Sequence, residues 1–288
     1  MHIVRYKDSI GCIAVGARRG SEITSLAVSS IAELLALRAA DMRVVVEANG
    51  PIIACASVTV LPPLDGRTEV WASGVTYLRS QQARIEESTQ QSVYELVYDA
   101  PRPELFFKSV AWRVVTDTEG VAIRLDSRLD VPEPELGLVI NSRADIVGYV
   151  VCNDMSSRSI EGENPLYLPQ AKVYAGACAV SDGIRPAWEV DASNLDITLT
   201  VTRANETLYA GSTSTSQLHR SLPDLVRFLY AAENHPDGAF LSTGTGIVPE
   251  VTFSLAVNDT VTITIDEVGV LANHVLAGRE HFEYLMTR

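Results

Sequence analysis

VPEPELGLVINSRADIVGYVVCND, the stretch at residues 131–154, contains two apolar runs separated by a short polar segment. The runs are residues 136–140 and 146–151, and both are rich in the β-branched residues that favour strands. The polar segment between them, residues 142–145, has the composition of a turn. The stretch therefore predicts a β-hairpin.

Three carboxylates lie at the two ends of this predicted hairpin. Glu133 and Glu135 are two residues apart, so a strand directs both to one face. Asp154 follows the second run, and the hairpin brings it back towards them. Three carboxylates without Cys or His suit a hard divalent cation, with Mg²⁺ first and Mn²⁺ or Ca²⁺ behind it. The alternative is that the glutamates form the solvated face of an amphipathic strand.

Composition and charge exclude several classes of function. The 288 residues are 47% apolar and 20% charged, as in folded globular proteins. The formal net charge of −13 and the absence of a Lys/Arg cluster argue against nucleic-acid or anionic-membrane partners. No signal-peptide pattern or bilayer-length apolar run is present, and the four cysteines form no Cys-x-x-Cys motif. We expect a cytosolic protein whose cysteines are buried free thiols.

The chain is expected to divide at the Pro/Gly-rich segment LPPLDG, residues 61–66. Residues 1–66 are predicted to form a small N-terminal α/β domain, with strands at 2–6 and 11–15 and a helix at 30–40. The conformation of residues 43–47 stays open, because they are β-branched yet follow a helix. Residues 67–288 are predicted to form the catalytic domain.

Strands outnumber helices in the predicted second domain. A helix is expected at 222–232, because Ser221 is a good N-cap and Pro223 suits a first turn. Residues 261–271 predict a hairpin near the end of the chain, and the polar residues 77–97 predict a helix. This pattern favours an α+β, mostly β fold over a parallel α/β sheet.

Five short motifs occur in a fixed order along residues 70–275, and together they resemble the fumarylacetoacetate hydrolase superfamily. They are Glu-Pro-Glu-Leu at 133–136, Gly-Tyr-x-x-x-Asn-Asp-x-Ser-x-Arg at 148–158, Lys172, Thr-Gly-Thr-Gly at 243–246, and the run 258–269. The resemblance implies a mixed β-roll, metal binding by the three carboxylates, and a homodimer or homotetramer. It also implies that Tyr77, Gln170 and Thr245 contact the substrate.

One signature of the superfamily is missing. Its hydrolases carry Tyr-x-x-His-x-x-Glu in a lid segment, where the His and Glu activate water. This chain has Tyr77, Ser80 and Ala83 at those places. A hydrolase without a general base for water loses its usual route, so C–C bond hydrolysis is not expected.

Two further segments resemble a narrower branch, the 2-keto-3-deoxy-arabinonate dehydratases. They are PELFFK at 103–108 and the stretch at 157–172. The resemblance implies that Glu104 and Lys172 are the acid/base groups of an elimination. Without it, Glu104 reads as part of a surface ion pair and Lys172 as solvent-exposed.

The expected activity is that of a Mg²⁺-dependent hydro-lyase acting on a small-molecule 2-keto acid. A 2-keto-3-deoxy sugar acid loses its C3 proton to give an enolate and then its C4 hydroxyl; the five-carbon acid gives 2,5-dioxopentanoate. Lys172 is either the base or a charged group that polarises the substrate while Glu104 transfers both protons. The alternatives are an acylpyruvate- or fumarylacetoacetate-type C–C hydrolase, a 2-oxo acid decarboxylase, and a non-catalytic small-molecule binder.

Overall fold

The computed structural model describes residues 1–87 and 96–287. These residues contain nineteen strands and six α-helices, and residues 96–98 are helical as well. The strands are β1 His2–Lys7, β2 Ile13–Arg19, β3 Glu22–Ser25, β4 Ile52–Ala54, β5 Thr59–Leu61, β6 Glu69–Gly74, β7 Glu104–Val110, β8 Gly120–Ile123, β9 Asp130–Val131, β10 Pro134–Ile140, β11 Ile146–Asp154, β12 Ser156–Ser157, β13 Cys178–Val180, β14 Arg185–Pro186, β15 Asp196–Arg203, β16 Glu206–Ser214, β17 Ala239–Ser242, β18 Thr260–Ile265 and β19 Gly269–Ala277. The helices are α1 Ile31–Leu35, α2 Ala39–Glu47, α3 Leu78–Glu87, α4 Arg158–Glu163, α5 Leu168–Lys172 and α6 Leu222–Leu229, with short 3₁₀ helices at Cys55–Ser57, Ala111–Arg113, Pro165–Tyr167, Ala187–Glu189, Thr215–Gln217 and Arg279–Thr287.

The N-terminal residues form a five-stranded antiparallel sheet in the order β4-β3-β2-β1-β5. The predicted strands at 2–6 and 11–15 are confirmed as β1 and β2. The single helix predicted at 30–40 is wrong, because the structure has two helices separated by residues 36–38. The connection is fixed by another part of the chain: the Ser142 N–H donates to Leu35 O at 2.9 Å and Asn141 Nδ2 donates to Leu37 O at 3.1 Å. Residues 43–47, whose conformation the sequence left open, belong to α2.

The predicted hairpin is confirmed as β10 and β11, which pair antiparallel from Pro134 opposite Asn153 to Ile140 opposite Ile146. Asn141 organises its turn, because its side-chain oxygen accepts the backbone N–H groups of Arg143 and Asp145. Ala144 has a positive φ of 65°, as a tight turn of this kind requires. The hairpin lies in a seven-stranded sheet of order β13-β11-β10-β17-β6-β7, with β14 also paired to β11.

The directions of these strands place the functional side chains at one end of the central sheet. β17 runs antiparallel to β10 and parallel to β6, and β6 runs antiparallel to β7. The ends of β6, β11 and β17 therefore meet the beginnings of β7 and β10. Gly74, Glu104, Glu135, Asp154 and Ser242 all lie at this end.

A second five-stranded sheet, of order β16-β15-β18-β19-β8, covers one face of the central sheet. Leu136, Leu138 and Val151 of the central sheet share a buried cluster with Ile197 and Ile263 of the second. A two-stranded pairing of β9 with β12 lies beside the hairpin. The structure matches the predicted α+β, mostly β fold.

The other face of the central sheet packs against the N-terminal part of the chain. Val139, Val150 and Phe240 share a buried cluster with Ile3 and Ile31. The division into domains at residue 66 remains a prediction, and the two parts have one core in common. Over the residues that the structure describes, none of the helices combines the length and apolar character needed to cross a bilayer.

Candidate active site

The hairpin brings three buried carboxylates together. Glu133 precedes β10, Glu135 is its second residue, and Asp154 ends β11. The Asp154 N–H donates to Glu133 O at 3.0 Å, which fixes the two backbones beside each other. One oxygen from each of the three carboxylates lies within 4.8 Å of the other two. The predicted cluster therefore forms, and its members are at most 3% exposed, so they are not the solvated face of a strand.

Glu135 is held by the loop that follows β17. One of its oxygens, Oε2, accepts a hydrogen bond from Ser242 Oγ at 2.6 Å and another from the Gly244 N–H at 2.7 Å. Burial, helped by the negative charges of Asp154 and Glu133, raises the pKa of Glu135 to about 8. Positive charge beside Glu135 favours its ionised form.

Two buried lysines supply positive charge to the cluster. Lys172 Nζ donates to Glu133 Oε2 at 2.6 Å, to Asp154 Oδ2 at 3.1 Å and to Ser156 Oγ at 2.5 Å. Lys108 Nζ forms an ion pair with Asp154 Oδ1 and donates to Met155 O at 2.9 Å and Lys172 O at 2.6 Å. Lys172 is therefore buried inside the site, and the alternative of a solvent-exposed lysine is wrong.

Arg158 and Glu161 of α4 add two charged side chains to the site. Ser157 caps this helix by accepting the Ile160 N–H. Arg158 and Glu161 are three residues apart, so the helix places them on one face. Arg158 Nη2 lies 3.7 Å from Glu133 Oε1. Both side chains are buried and line the cleft in front of the three carboxylates.

Glu104 reaches the same cleft from the first position of β7. It lies opposite Gly74 of β6, and Phe106 follows it on the same face. Lys172 Nζ lies 5.6 Å from the centroid of the Phe106 ring. Glu104, Phe106 and Lys172 therefore line the same cleft. The remaining wall is formed by Ser73, Gly74, Val75, Ser80, Ala83, Gly244, Thr245 and Val248.

The two positions that lack the hydrolase signature face this cleft. Ser80 and Ala83 belong to α3, which begins after Tyr77. The Ser80 hydroxyl donates to Tyr77 O at 2.7 Å and completes the first turn of the helix. Residues 88–95 of the helix predicted at 77–97 lie outside the described residues.

The three predicted substrate contacts are placed differently. Thr245 lines the cleft, with its hydroxyl accepting the Ile247 N–H at 3.1 Å. The Tyr77 ring lies against Gly246 and does not line the cleft, and among the described residues its buried hydroxyl has no hydrogen-bond partner. Burial raises the pKa of this phenol. The Gln170 side chain is exposed and does not line the cleft, because two residues along α5 turn the helix by about 200° from Lys172.

Sequence reasoning missed four groups of the site: Lys108, Arg158, Glu161 and Ser242. Arg158 closes the motif at 148–158 and Lys108 closes the segment at 103–108, so both were within segments already singled out. Their roles depend on contacts with residues far along the chain, which spacing does not show. Glu161 carried one available signal, because it is three residues from Arg158 on a short helix.

The donor set fits Mg²⁺. All three groups offer oxygen, and together they carry up to three negative charges in a buried place. Mg²⁺ prefers carboxylate oxygen and keeps part of its hydration for the substrate to replace. Glu133, Glu135 and Asp154 are the residues that would hold it.

The site joins a mostly β fold, a buried Glu-x-Glu and Asp cluster that could hold a divalent cation, two buried lysines and a cleft in front of them. Residues 70–276 match the family described as "Fumarylacetoacetate (FAA) hydrolase C-terminal". The chain belongs to this family.

Curated relatives from two organisms are similar over most of the chain. A Haloferax volcanii protein named "Probable 2-keto-3-deoxyxylonate dehydratase" is 48% identical over 214 residues, 74% of this chain and 73% of that one. The 2-dehydro-3-deoxy-D-arabinonate dehydratase of Saccharolobus solfataricus is 40% identical over 228 residues, 77% and 76% of the two chains.

A solved structure extends the similarity to almost the whole chain. It is a 2-keto-3-deoxy-D-arabinonate dehydratase complexed with magnesium and 2,5-dioxopentanoate. It covers 97% of this chain and 100% of its own, with a TM-score of 0.85 and 33% identity.

Proposed function

We propose that this protein is a Mg²⁺-dependent dehydratase that removes water from a 2-keto-3-deoxy sugar acid. The observation that carries the proposal is the composition of the cleft. Glu104 and Lys172 line it beside the carboxylate cluster, whereas Ser80 and Ala83 occupy the positions of the hydrolases' water-activating pair. The dehydratase relatives and the similar structure with magnesium and 2,5-dioxopentanoate support the same reaction class.

The chain's own residues account for binding and proton transfer. Mg²⁺, when bound, supplies positive charge beside the 2-oxo acid group and makes the C3 proton more acidic. We assign removal of that proton to the Glu104 carboxylate. The three N–H protons of Lys172 Nζ donate to Glu133, Asp154 and Ser156. We assign protonation of the departing C4 hydroxyl to one of these protons, which leaves its present acceptor when the substrate binds. The C3–H and C4–O bonds break, a C3–C4 double bond forms, and water leaves.

The five-carbon substrate requires a second proton movement. Elimination gives an enone that still carries the C5 hydroxyl and has the same formula as 2,5-dioxopentanoate. Loss of one proton from C5 and one from its hydroxyl group, with return of one proton to C3 and one to C4, converts the enone into the dioxo acid. A carboxylate at Glu104 suits this exchange, because the step only moves protons.

The other functions receive less support from the cleft. A C–C hydrolase needs a base for water, and Ser80 and Ala83 offer none at the expected positions. A protein that only binds a small molecule does not need Lys172 and Glu104 in the same cleft. We retain the decarboxylase as the alternative that the product analysis must exclude. Cytosolic location, homo-oligomeric assembly and use of Mn²⁺ or Ca²⁺ remain predictions.

Incubation with Mg²⁺ and 2-keto-3-deoxypentonate, followed by mass spectrometry, tests the reaction. We expect loss of water, and no reaction when a chelator is present. An acylpyruvate tested in parallel should remain intact. Its cleavage with gain of water, or loss of CO₂ from the sugar acid, would contradict the proposal.

Two variants test the residue roles. Glu104→Gln and Lys172→Met should each lower kcat by about 10²–10⁴-fold, the usual range for a lost proton-transfer group. Lys7→Met makes the same change at an exposed lysine of β1 and should leave kcat unchanged. Full activity of either cleft variant would show that its role is misassigned.

A further inference from the structure

The side chain of Glu104 occupies the space above Gly74. The two residues lie directly opposite each other in the antiparallel pair of β6 and β7. Side chains at such opposed positions project to the same face with their Cβ atoms about 4.5–5.5 Å apart. Gly74 has no Cβ, so the Glu104 side chain lies across the neighbouring strand instead of beside a partner.

The Glu104 carboxyl group occupies the space that a side chain at position 74 would fill. A Cβ added to Gly74 would overlap Glu104 Oε2 and would lie 2.7 Å from Cδ and 3.3 Å from Oε1. All three nearest atoms belong to Glu104. Any side chain at this position would therefore move the carboxyl group.

Backbone conformation does not explain the glycine. Gly74 is not among the glycines with a positive φ. The positive φ falls on the next residue, Val75, at 53°. A β-branched residue is sterically disfavoured in that conformation, and a glycine required by the turn would be expected there. The glycine at position 74 provides space.

The main chain of Glu104 is fixed from the same strand. Ser73 Oγ donates to Glu104 O at 2.9 Å. Ser73, Gly74 and Glu104 all line the cleft. Strand β6 therefore contacts Glu104 at two places. Ser73 forms a hydrogen bond with its carbonyl oxygen, and Gly74 leaves the space in which its carboxyl group lies.

We infer that Gly74 is a positioning residue for the proton transfers of Glu104, because it lets the carboxyl group lie across β6 and face the cleft. This inference rests on the proposed role of Glu104. Misplacement of a reacting group by about 1 Å can lower a rate by about 100-fold. A methyl group at position 74 displaces the carboxyl by a comparable distance.

Gly74→Ala tests the inference in the full-length, Mg²⁺-loaded protein. We expect kcat to fall by about 100-fold, while KM and Mg²⁺ affinity measured by calorimetry stay within about twofold. In the Glu104→Gln background the same substitution should cause no further loss of kcat. Gly120→Ala is the matched control: it lies in β8 of the other sheet with no positive φ, and its added Cβ would meet the side chains of Leu276 and His274.

Each other outcome has a defined meaning. Normal kcat in Gly74→Ala, with Glu104→Gln inactive, overturns the positioning role and leaves the proposed function standing. Full activity in Glu104→Gln overturns the role of Glu104 itself and removes the basis of the inference. An equal loss in both backgrounds shows a general structural effect and also overturns it. If Gly74→Ala does not fold, Gly74→Ala/Glu104→Ala should restore folding, and failure to do so contradicts the steric argument.

Discussion

The protonation of Glu135 affects the net charge of the carboxylate cluster. Its oxygen accepts hydrogen bonds from Ser242 and Gly244, yet burial and two neighbouring carboxylates still raise its pKa to about 8. A dication beside it favours the ionised form by direct attraction. Because of the same attraction, removal of the Glu135 charge should lower the affinity of the site for Mg²⁺.

Glu135→Gln should weaken Mg²⁺ binding by more than about 100-fold, since even loss of a group behind a metal ligand weakens binding by about 10–100-fold. The fold should persist, because the amide oxygen still accepts both hydrogen bonds. Titration calorimetry with Mg²⁺ or Mn²⁺ measures the change, and Glu206→Gln on the exposed start of β16 is the control. Wild-type affinity together with normal turnover would remove Glu135 from the metal site.

Asp130 predicts a pH dependence of stability outside the metal ligands. Burial raises its pKa from 3.8 to about 6, and its Oδ1 has no hydrogen-bond partner among the described residues. Between these values the folded protein keeps the proton that the unfolded chain releases. Its contribution to stability is therefore present below pH 3.8 and is lost as pH rises through about 6.

The Asp130→Asn variant should not show this loss of stability as pH rises. Its free energy of unfolding, relative to that of the natural protein, should rise from pH 4 to pH 7 in urea titrations. A constant difference over this range would mean that Asp130 does not titrate there in the folded state.

The sequence predicted the residues whose geometry is local. Glu133 and Glu135 share a face because a strand alternates, and Asp154 joins them because a hairpin returns. Lys108 was not predicted, because its place in the site depends on contacts with residues 154, 155 and 172. Gln170 was predicted from a motif alone, and the helical rotation of α5 directs it away from the cleft.

Among the elements, α6 shows how far local signals reach. Ser221 was predicted as its N-cap, and its hydroxyl accepts the Asp224 N–H at 3.3 Å. Ser221→Ala should lower the free energy of unfolding by about 1 kcal/mol and leave kcat unchanged, since α6 does not line the cleft. Denaturant titration measures this, with Ser9→Ala in an exposed loop as control. A loss no larger than that of the control would show that the cap does not contribute.

The first helical region shows where local signals stop. Apolar spacing over residues 30–40 predicted one helix, yet the structure has α1 and α2. The break is stabilised by hydrogen bonds from Asn141 and Ser142, the turn of the central hairpin. A pattern in eleven residues has no information about a turn about one hundred positions later.

At the scale of the molecule, Phe240 connects the two parts of the chain. It is fully buried in the cluster that includes Ile3 and Ile31. Residues 1–66 therefore complete the cover of the central sheet, and we expect them to unfold together with it.

Phe240→Ala should lower the free energy of unfolding by about 3–5 kcal/mol and shift a single transition. Hydrogen exchange should show amides of β1 and β10 losing protection together. Retention of protection in β1 after its loss in β10 would instead show two independently folding domains, as the boundary at residue 66 predicts.

Strand β17 enters the central sheet late in synthesis, although it lies between β10 and β6. When residues 134–140 leave the ribosome, residues 239–242 are still about a hundred codons away, which takes about 5–20 s at ordinary rates of translation. Throughout that time β6 and β10 each present an unpaired edge, a known starting point for aggregation. Production of this protein should therefore respond to chaperones and to slower growth, because the cleft assembles only when the chain is almost complete.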